Sequence, residues 1–426
     1  MRDGLRVLVV GSGGREHALA SALARSDAVG AVVCAPGNPG MGRLGRCIAV
    51  DASDATAIAA LADEVDAHLV LVGPEVPLVA GVVDAVEARG RIAFGPRAAA
   101  ARLEGSKSWM KEVLASAGVP TARYGAFGER DEQEALAFLE TLPGMYVVKT
   151  DGLAAGKGVL VTESIAEART AVQEYLSGAA FGDAGRSIVI EEGLSGPELS
   201  LLVLCDGTDA VALAPAQDFK RIGEGDTGAN TGGMGAYSPV PFVTADVVER
   251  VLDRAVRPTL GALTARGVEY RGVLYAGLML TPEGPKVLEY NVRFGDPECQ
   301  VVVPRLASDL ATHCLEVATG AMRSEPVFVE DAAVTVVLAC KGYPAAPQTG
   351  DAIDGIDAAE ELPGIAVFHA GTRAADDTVT TSGGRVLDVT ALASTVREAR
   401  SRAYEAVARI SWPGMQYRSD IAMAQG

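Results

Sequence analysis

The chain has 426 residues, more than a single hydrophobic core usually serves, so we expect several packed units. Hydrophobic residues make up 49% and charged residues 22%, a balance that is typical of globular proteins and argues against disorder. The net charge of −18 opposes binding to nucleic acid or to an anionic membrane, so neither is expected as a partner. An anionic substrate would therefore need a locally basic pocket.

The six cysteines are scattered without C-x-x-C pairs, which favours reduced thiols over a disulfide framework or a zinc site. No apolar stretch is long enough to span a bilayer or to form the core of a signal peptide. We therefore expect a cytoplasmic protein.

The first hundred residues alternate short β-branched runs with alanine-rich helical stretches. This rhythm predicts a doubly wound parallel α/β sheet over residues 1–105. The predicted strands cover 7–10, 29–34 and 69–72, and the predicted helices cover 15–25, 55–64 and 79–89. Because ligands of such sheets bind beyond the carboxyl ends of the strands, the loops at 11–17, 36–38 and 73–75 are candidate substrate walls.

Three further units are predicted after residue 105. Ser106 is expected to cap a helix from Lys107 to about Ala117, which leads into a small lid, so that linker and lid cover 106–193. Residues 194–328 are strand-rich and predict a central unit, and residues 329–426 predict a carboxy-terminal α+β unit. The other predicted strands are 145–149, 159–162, 188–191, 333–339, 366–370 and 385–389, and the helices are 165–176, 245–265 and 394–410.

A glycine-rich run from Lys149 to Gly158 predicts a phosphate-binding hairpin. Its glycines leave backbone amides free to approach phosphate oxygens, and its lysines supply the compensating charge. It does not fit the P-loop pattern, because Gly158 stands where a Ser or Thr is required and strands flank it on both sides. A flexible surface hairpin is the alternative for this run taken alone.

The amino-terminal turn Gly11-Ser12-Gly13-Gly14 resembles a dinucleotide fingerprint only in part, since Glu16 stands where the third glycine belongs. Arg15, at the start of a predicted helix, could hold a phosphate by charge and through free amides. A phosphorylated substrate therefore fits better than NAD, although a plain strand-to-helix turn remains open.

The run from Val287 to Phe294 alternates, which places Glu289, Asn291 and Arg293 on one face of a strand. Carboxylate and amide oxygens suit magnesium, and an arginine can neutralise a migrating phosphoryl group. The alternative is an ordinary half-exposed strand with a polar outer face. The acidic turn at 295–298, directly after it, favours the metal site.

Together these segments resemble the phosphoribosylamine–glycine ligase family, the glycinamide ribonucleotide synthetases of purine biosynthesis. The resemblance rests on GGREHAL (13–19), APGN (35–38), VGPE (72–75), LEGSK (103–107), DGLAAGKG (151–158), NTGGMGAYSP (230–239) and RFGDPE (293–298), and it continues to YRSDI (417–421). It implies an ATP-grasp fold in four units: amino-terminal, lid, central and carboxy-terminal.

The resemblance also implies the site residues. Glu289 and Asn291 look like ligands of magnesium, for which manganese is an alternative. Contacts to ATP would come from Lys107, Lys149, Gly152, Gly156, Lys157, Gly158, Glu191, Glu192 and Glu198. Phosphoribosylamine would lie against Gly14, Arg15, Asn38 and Glu75. The implied catalytic residues are Arg293, near the reacting phosphoryl group, and Asp218 and Lys220, in the family's substrate segment.

Four positions depart from the family's usual pattern. Phe219 replaces a histidine, Thr150 an alanine, Ala229 a proline and Ala422 a glycine. Phe219 matters most, because it removes a titratable hydrogen-bonding group. Either substrate binding is weakened or the lost imidazole pointed away from the substrate.

The implied reaction is ATP-dependent ligation of glycine to 5-phosphoribosylamine by a monomer, through glycyl phosphate, giving glycinamide ribonucleotide, ADP and phosphate. Positioning and charge neutralisation suffice for it, which agrees with the lack of a nucleophile motif. Three alternatives stay open: an ATP-grasp ligase with other substrates, an NAD-dependent oxidoreductase and a non-catalytic nucleotide-binding protein. The amino-terminal loops argue against the first, Glu16 against the second, and the presence of both Glu289 and Lys149 against the third.

Overall fold

The computed structural model describes residues 4–154, 158–178, 186–376 and 378–423. The predicted phosphate-loop residues Gly156 and Lys157 lie outside these ranges. Within them, the amino-terminal part is a five-stranded parallel sheet of order β3-β2-β1-β4-β5, which confirms the doubly wound prediction. The strands are β1 (Leu5–Gly11), β2 (Val29–Pro36), β3 (Arg46–Cys47), β4 (Leu69–Val72) and β5 (Ile92–Phe94).

Helices cover this sheet, and its central strands are apolar because both of their faces are buried. The helices are α1 (Gly14–Arg25), α2 (Ala55–Glu64), α3 (Glu75–Val79), α4 (Val82–Glu87) and α5 (Ala98–Gly105). The helix predicted over 79–89 is shorter and corresponds to α4, which begins after Gly81 because this glycine takes a left-handed conformation with φ of 84°. Helix α5 was missed from sequence.

The linker helix α6 (Lys107–Ser116) begins where predicted, and the side chain of Ser106 accepts a hydrogen bond from the Trp109 amide. It leads to an antiparallel sheet of order β6-β9-β7-β8, which has a hydrophobic core of its own against two helices. The elements are β6 (Tyr124–Gly128), α7 (Glu132–Leu139), β7 (Tyr146–Thr150), β8 (Val159–Thr162), α8 (Ile165–Leu176) and β9 (Ser187–Glu192). This is the predicted lid.

The central sheet is antiparallel, of order β11-β10-β16-β17, and it shares two hydrophobic cores with the amino-terminal sheet. Its strands are β10 (Glu198–Asp206), β11 (Ala210–Ala212), β16 (Arg271–Thr281) and β17 (Gly284–Asn291). The predicted helix over 245–265 consists of α9 (Ala245–Val251), a π-helical segment (Leu252–Val256) and α10 (Arg257–Thr264). Helices α11 (Cys299–Val302) and α12 (Leu310–Thr319) follow β17.

A third large sheet, of order β12-β15-β18-β22-β19, draws strands from both sides of residue 328, so its core joins the two units predicted there. The strands are β12 (Gln217–Asp218), β15 (Gly235–Ser238), β18 (Ala332–Ala339), β19 (Ile365–His369) and β22 (Arg385–Ala393). Two small hairpins, β13 (Arg221–Gly223) with β14 (Thr227–Asn230) and β20 (Thr372–Ala375) with β21 (Thr378–Thr381), complete the strands, and the helices are α13 (Ile356–Glu360) and α14 (Val396–Val407). The four domain boundaries stay predictions.

No helix in the described ranges combines the length and the apolar character that crossing a bilayer requires.

Candidate active site

A cavity of about 320 Å³ opens between the lid, the amino-terminal sheet and the central sheet. It brings together half of the residues predicted from sequence, although these are spread over more than 270 positions of the chain. The predicted residues that line it are Arg15, Glu75, Lys107, Gly158, Asp218, Lys220, Glu289, Asn291 and Arg293. Those that the structure places outside the lining are Gly14, Asn38, Lys149, Gly152, Glu191, Glu192 and Glu198.

The strand that carries the predicted metal ligands is bulged. Pairing with β16 skips Leu288, and beyond it Glu289 and Asn291 both face the cavity. Burial would raise the pKa of Glu289, but Lys220 and nearby cations outweigh burial and hold it below its usual range. A carboxylate and an amide oxygen on one edge of a cavity form a donor set that fits magnesium.

Arg293, just past the end of β17, is held by two carboxylates from the amino-terminal part. Its Nη2 lies 2.8 Å from Oε1 of Glu104, and its Nε lies 3.3 Å from Oε2 of Glu75. The second oxygen of Glu104 accepts a hydrogen bond from the Val292 amide at 2.8 Å. Burial raises the pKa of Glu104 to about 7 despite Arg293, so this carboxyl titrates near neutral pH.

Lys149 lies outside the cavity lining and is held by an ion pair and a hydrogen bond. Its Nζ lies 2.9 Å from Oε1 of Glu191 and donates at 3.1 Å to the carbonyl of Leu288, the residue that the bulge leaves out of the strand ladder. A second lysine, Lys111, has its Nζ 3.2 Å from the same carboxylate oxygen. Burial lowers the pKa of Lys111 to about 8, although Glu191 opposes that shift. Glu191 therefore balances the charge of both lysines, and its predicted contact with ATP stays a prediction.

The base of the glycine-rich run is tied to the amino terminus of α6. Asp151 accepts hydrogen bonds from the Ser108 amide and hydroxyl, both at 2.7 Å, and Lys107 Nζ donates to the Gly152 carbonyl at 3.2 Å. At Gly158, an added Cβ would lie 2.2 Å from Oγ1 of Thr150. That hydroxyl is buried and has no hydrogen-bond partner among the described residues, so nothing there explains Thr150.

Lys220, which lines the cavity, stands among carboxylates. Its Nζ lies 2.6 Å from Asp218 and 3.0 Å from Glu198. Burial opposes the charge on Lys220, but Asp218 and Glu198 outweigh it and raise the pKa, so Lys220 stays protonated. Glu198 therefore contacts Lys220, while Glu192 accepts a hydrogen bond from the Arg123 amide at the lid surface.

The side chain of Glu16, the residue that departs from the dinucleotide pattern, packs into the amino-terminal turn. One oxygen of Glu16 accepts from the Gly13 amide at 2.7 Å, and the other pairs with Nε of Arg15. Arg15 also donates to the Phe294 carbonyl at 3.2 Å, which fixes the guanidinium close to the end of β17. Glu16 thus positions a cation that lines the cavity.

Asn38 joins the amino-terminal and carboxy-terminal parts. Its Nδ2 donates to the carbonyls of Ser12 and His369, and its Oδ1 accepts from the Met41 amide. The His369 amide in turn donates to Nδ1 of His17 at 2.8 Å. These contacts hold the predicted substrate loop in place, with the Asn38 side chain buried.

Sequence reasoning assigned no role to several residues of the lining. These are Glu104, Thr231, Gly232, Tyr275, Asp296, Glu298 and Arg385. All except Tyr275 and Arg385 lie in segments that carry the family resemblance. The sequence therefore marked these segments, but it did not indicate what the individual residues do. Arg385 is the contribution of the carboxy-terminal sheet, and no local pattern marks it.

The positions that depart from the family's usual pattern, apart from Thr150 described above, lie in different surroundings. Phe219 does not line the cavity; its ring packs under the guanidinium of Arg418, 5.1 Å from the ring centroid, so this position points away from the cavity. Ala422 is buried with φ of 56°, a conformation in which the family's usual glycine would be unstrained. Ala229 is exposed on β14.

Comparison with known sequences identifies the domains of one enzyme family along the chain. Residues 5–104 match the phosphoribosylglycinamide synthetase N domain, residues 105–299 its ATP-grasp (A) domain and residues 333–424 its C domain. A phosphoribosylamine–glycine ligase of Streptomyces coelicolor is 49% identical over 422 residues, which cover 98% of this chain and 99% of that protein.

Solved structures give the same result for the fold. The crystal structure of phosphoribosylamine–glycine ligase from Thermotoga maritima superposes with a TM-score of 0.86 at 34% identity, covering 98% of this chain and all of that chain. The biotin carboxylase domain of Hydrogenobacter thermophilus 2-oxoglutarate carboxylase, solved with MgADP, gives 0.71 at 19% identity over 96% and 91% of the two chains. The predicted ATP-grasp fold is confirmed.

The lysine pair around Glu191 yields a stability prediction. Glu191→Gln leaves two buried ammonium groups without their shared carboxylate, and we expect the free energy of unfolding to fall by about 3–5 kcal/mol. Urea unfolding followed by circular dichroism measures the change. The neighbouring Glu192→Gln is the matched control, since this half-exposed carboxylate has no ion pair among the described contacts and should cost less than about 1 kcal/mol. Equal losses in the two variants would contradict this assignment.

Proposed function

Because the chain belongs to the phosphoribosylamine–glycine ligase family, we propose that it joins glycine to 5-phosphoribosylamine at the expense of ATP. The products are glycinamide ribonucleotide, ADP and phosphate, and the intermediate is glycyl phosphate. The observation that carries the proposal is the meeting, in one cavity, of an ionised Glu289 and the Asn291 amide with Lys107, Lys220 and Arg293. Such a set suits a metal-bound polyphosphate beside a reacting carboxylate.

ATP-grasp enzymes use ATP with divalent metal ions, and we propose magnesium here, with manganese as the alternative. Glu289 and Asn291 would hold the ion, since both are hard oxygen donors on the same side of β17. Lys107, with Nζ hydrogen-bonded at the base of the lid loop, would contact the nucleotide phosphates. Magnesium would neutralise phosphate charge and make the terminal phosphorus more electrophilic.

The chemistry needs orientation and charge neutralisation more than a nucleophilic side chain. A carboxylate is a poor acyl donor, so an oxygen of glycine takes the terminal phosphoryl group of ATP, and the amine of the sugar then displaces phosphate. Arg293, fixed by Glu104 and Glu75, would meet the charge that develops on the phosphoryl oxygens. Its two carboxylate partners keep its guanidinium from turning away.

The amino-terminal loops would select the sugar phosphate. Arg15 is held by Glu16 and Phe294 at the start of α1, where free amides and a fixed cation favour an anion. Glu75 lines the same region and, because Arg293 and Arg15 outweigh its burial, its pKa is held below the usual range. An ionised carboxylate there can accept hydrogen bonds from ribose hydroxyls or from the amine.

We also propose a cytoplasmic monomer that acts on small molecules. The six cysteines are free, which fits a reducing compartment. Light scattering after gel filtration should give the chain mass of 43.8 kDa. A doubled mass would exclude the monomer.

The direct test is release of ADP by the purified protein with ATP, glycine and phosphoribosylamine generated in the cuvette. We expect turnover only when all three substrates and a divalent ion are present. Trapping with hydroxylamine should yield glycine hydroxamate, which reports the acyl phosphate. ATP turnover that does not depend on glycine would overturn the assignment.

The metal assignment predicts the effect of Glu289→Gln. Removing the carboxylate should raise the magnesium concentration for half-maximal turnover at least roughly tenfold and lower kcat, because a charged ligand is lost. The control is Glu283→Gln, in the exposed turn before β17. An unchanged magnesium dependence in the Glu289 variant would exclude this residue as a ligand.

The pKa of Glu104 predicts that the effect of Glu104→Gln on kcat/KM depends on pH. Above a pH of about 7 the wild-type carboxyl is ionised and pairs with Arg293; below it the carboxyl is protonated and the pair weakens. We expect Glu104→Gln to lower kcat/KM roughly tenfold or more about one pH unit above that point, and clearly less about one unit below it. Measuring kcat/KM of both proteins across this range gives the ratio.

Exposed Glu112 on α6 supplies the control variant Glu112→Gln, whose ratio to wild type should stay near one at each pH. A Glu104→Gln ratio that is the same on both sides of neutrality would show that ionisation of Glu104 does not support Arg293.

A further inference from the structure

Strand β22 of the carboxy-terminal sheet carries one carboxyl in an apolar setting. Asp388 is 1% exposed, and Val337 and Phe368 pair with it on the neighbouring strands. Adjacent residues Leu387 and Val389 belong to the hydrophobic core. Burying a carboxyl there costs free energy unless hydrogen bonds or charged partners offset the loss of water. The contacts of Asp388 therefore indicate its structural role.

The partners of Asp388 lie in the wall of the cavity. Its Oδ2 accepts a hydrogen bond at 2.9 Å from Nε2 of Gln300, and the same nitrogen donates to Oδ1 of Asp296 at 2.8 Å. The other oxygen of Asp296 lies 3.0 Å from Nη2 of Arg385. Asp296 and Arg385 both line the cavity, so Gln300 links Asp388 to them.

Asp388 also touches the amino-terminal turn directly. A Cβ added to Gly14 would lie 1.8 Å from Oδ2 of Asp388, so the backbone of Gly14 packs against this carboxyl. Gly14 is the first residue of α1, and Arg15, which follows it, lines the cavity. The close approach gives a reason for glycine at position 14 that does not involve substrate.

Two further atoms of this cluster remain without partners. Oδ1 of Asp388 and Oε1 of Gln300 are buried and make no hydrogen bond within the described ranges. Burial raises the pKa of Asp388 to about 7, and Asp296 adds to the rise, while Arg385 and Gln300 oppose it. The neutral acid is therefore accessible, and asparagine is a fair mimic of its shape.

We propose that Asp388 is a positioning residue for the aminosugar site, where it fixes the first turn of α1 and, through Gln300, the ion pair of Asp296 with Arg385. The inference rests on the proposed function. Its consequence is that the carboxy-terminal sheet sets the affinity for the phosphorylated sugar without touching it. ATP and glycine, which would bind on the metal side, should be little affected.

The test compares Asp388→Ala with Asp388→Asn. The alanine variant loses the contacts to Gly14 and Gln300, and we expect the KM for phosphoribosylamine to rise roughly tenfold, with kcat and the KM for ATP changing much less. The asparagine variant keeps the shape and an acceptor for Gln300, and it should restore most of the loss. Steady-state kinetics with each substrate varied in turn measures the split.

Thr390→Ala is the matched control. Thr390 lies two residues further along β22, is fully buried, and is hydrogen-bonded to Thr335 at 2.9 Å, away from α1. Its loss should lower the melting temperature and leave the KM for phosphoribosylamine unchanged. If Asp388→Ala and Thr390→Ala change this KM equally, or if Asp388→Ala raises the KM for ATP as much, Asp388 is only structural and the inference is overturned.

Should Asp388→Ala not fold, Gln300→Met breaks the same link while Asp388 stays, and it should reproduce the rise in KM for the aminosugar. An unchanged KM in that variant would equally overturn the inference. Failure of the wild-type protein to use phosphoribosylamine would instead overturn the proposed function itself, so the two failures are distinct.

Discussion

The pairing of Arg293 with Glu104 and Glu75 is the constraint on which the rest of the site depends. A guanidinium this deep in the protein requires counter-charges, because removal from water without them costs several kcal/mol. Both counter-charges come from the amino-terminal helices α3 and α5, whereas Arg293 follows β17. The two parts also share a hydrophobic core, in which Leu103 and Val292 belong to one cluster. The ion pairs and the shared hydrophobic core therefore fix the same relative position of the amino-terminal helices and β17.

A second buried ion group links the lid sheet to the central sheet. Glu191 of β9 balances Lys149 and Lys111, and Lys149 donates to the carbonyl of Leu288 on β17. Without Glu191 the two ammonium groups would repel each other inside the protein. The contact lies near the carboxyl end of β7 and ties the lid sheet to β17.

Local periodicity was enough to predict about half of the strands and helices, because their apolar patterns reflect burial on one or two faces. It also predicted that the side chains of Glu289 and Asn291 lie on the same side of β17, because this depends only on alternation along the strand. It failed where structure depends on contacts distant in sequence: Glu104 and Arg293 are 189 residues apart, and Gln300 and Asp388 are 88 apart. The family resemblance supplied roles for aligned motifs, and for Glu191 the structure adds that its carboxylate pairs with Lys149 and Lys111.

The carboxy-terminal sheet is part of the site rather than an appendage to it. Strands β12 and β15, which flank the glycine-rich segment before residue 235, pair into the same sheet as β18 and β22. From β22, Arg385 donates to the carbonyls of Gly232 and Asp296, so one guanidinium holds the glycine-rich segment against the acidic turn. A loop with that many glycines would otherwise sample many conformations. A residue more than 150 positions away therefore helps to order this segment, in which Gly232 lines the cavity.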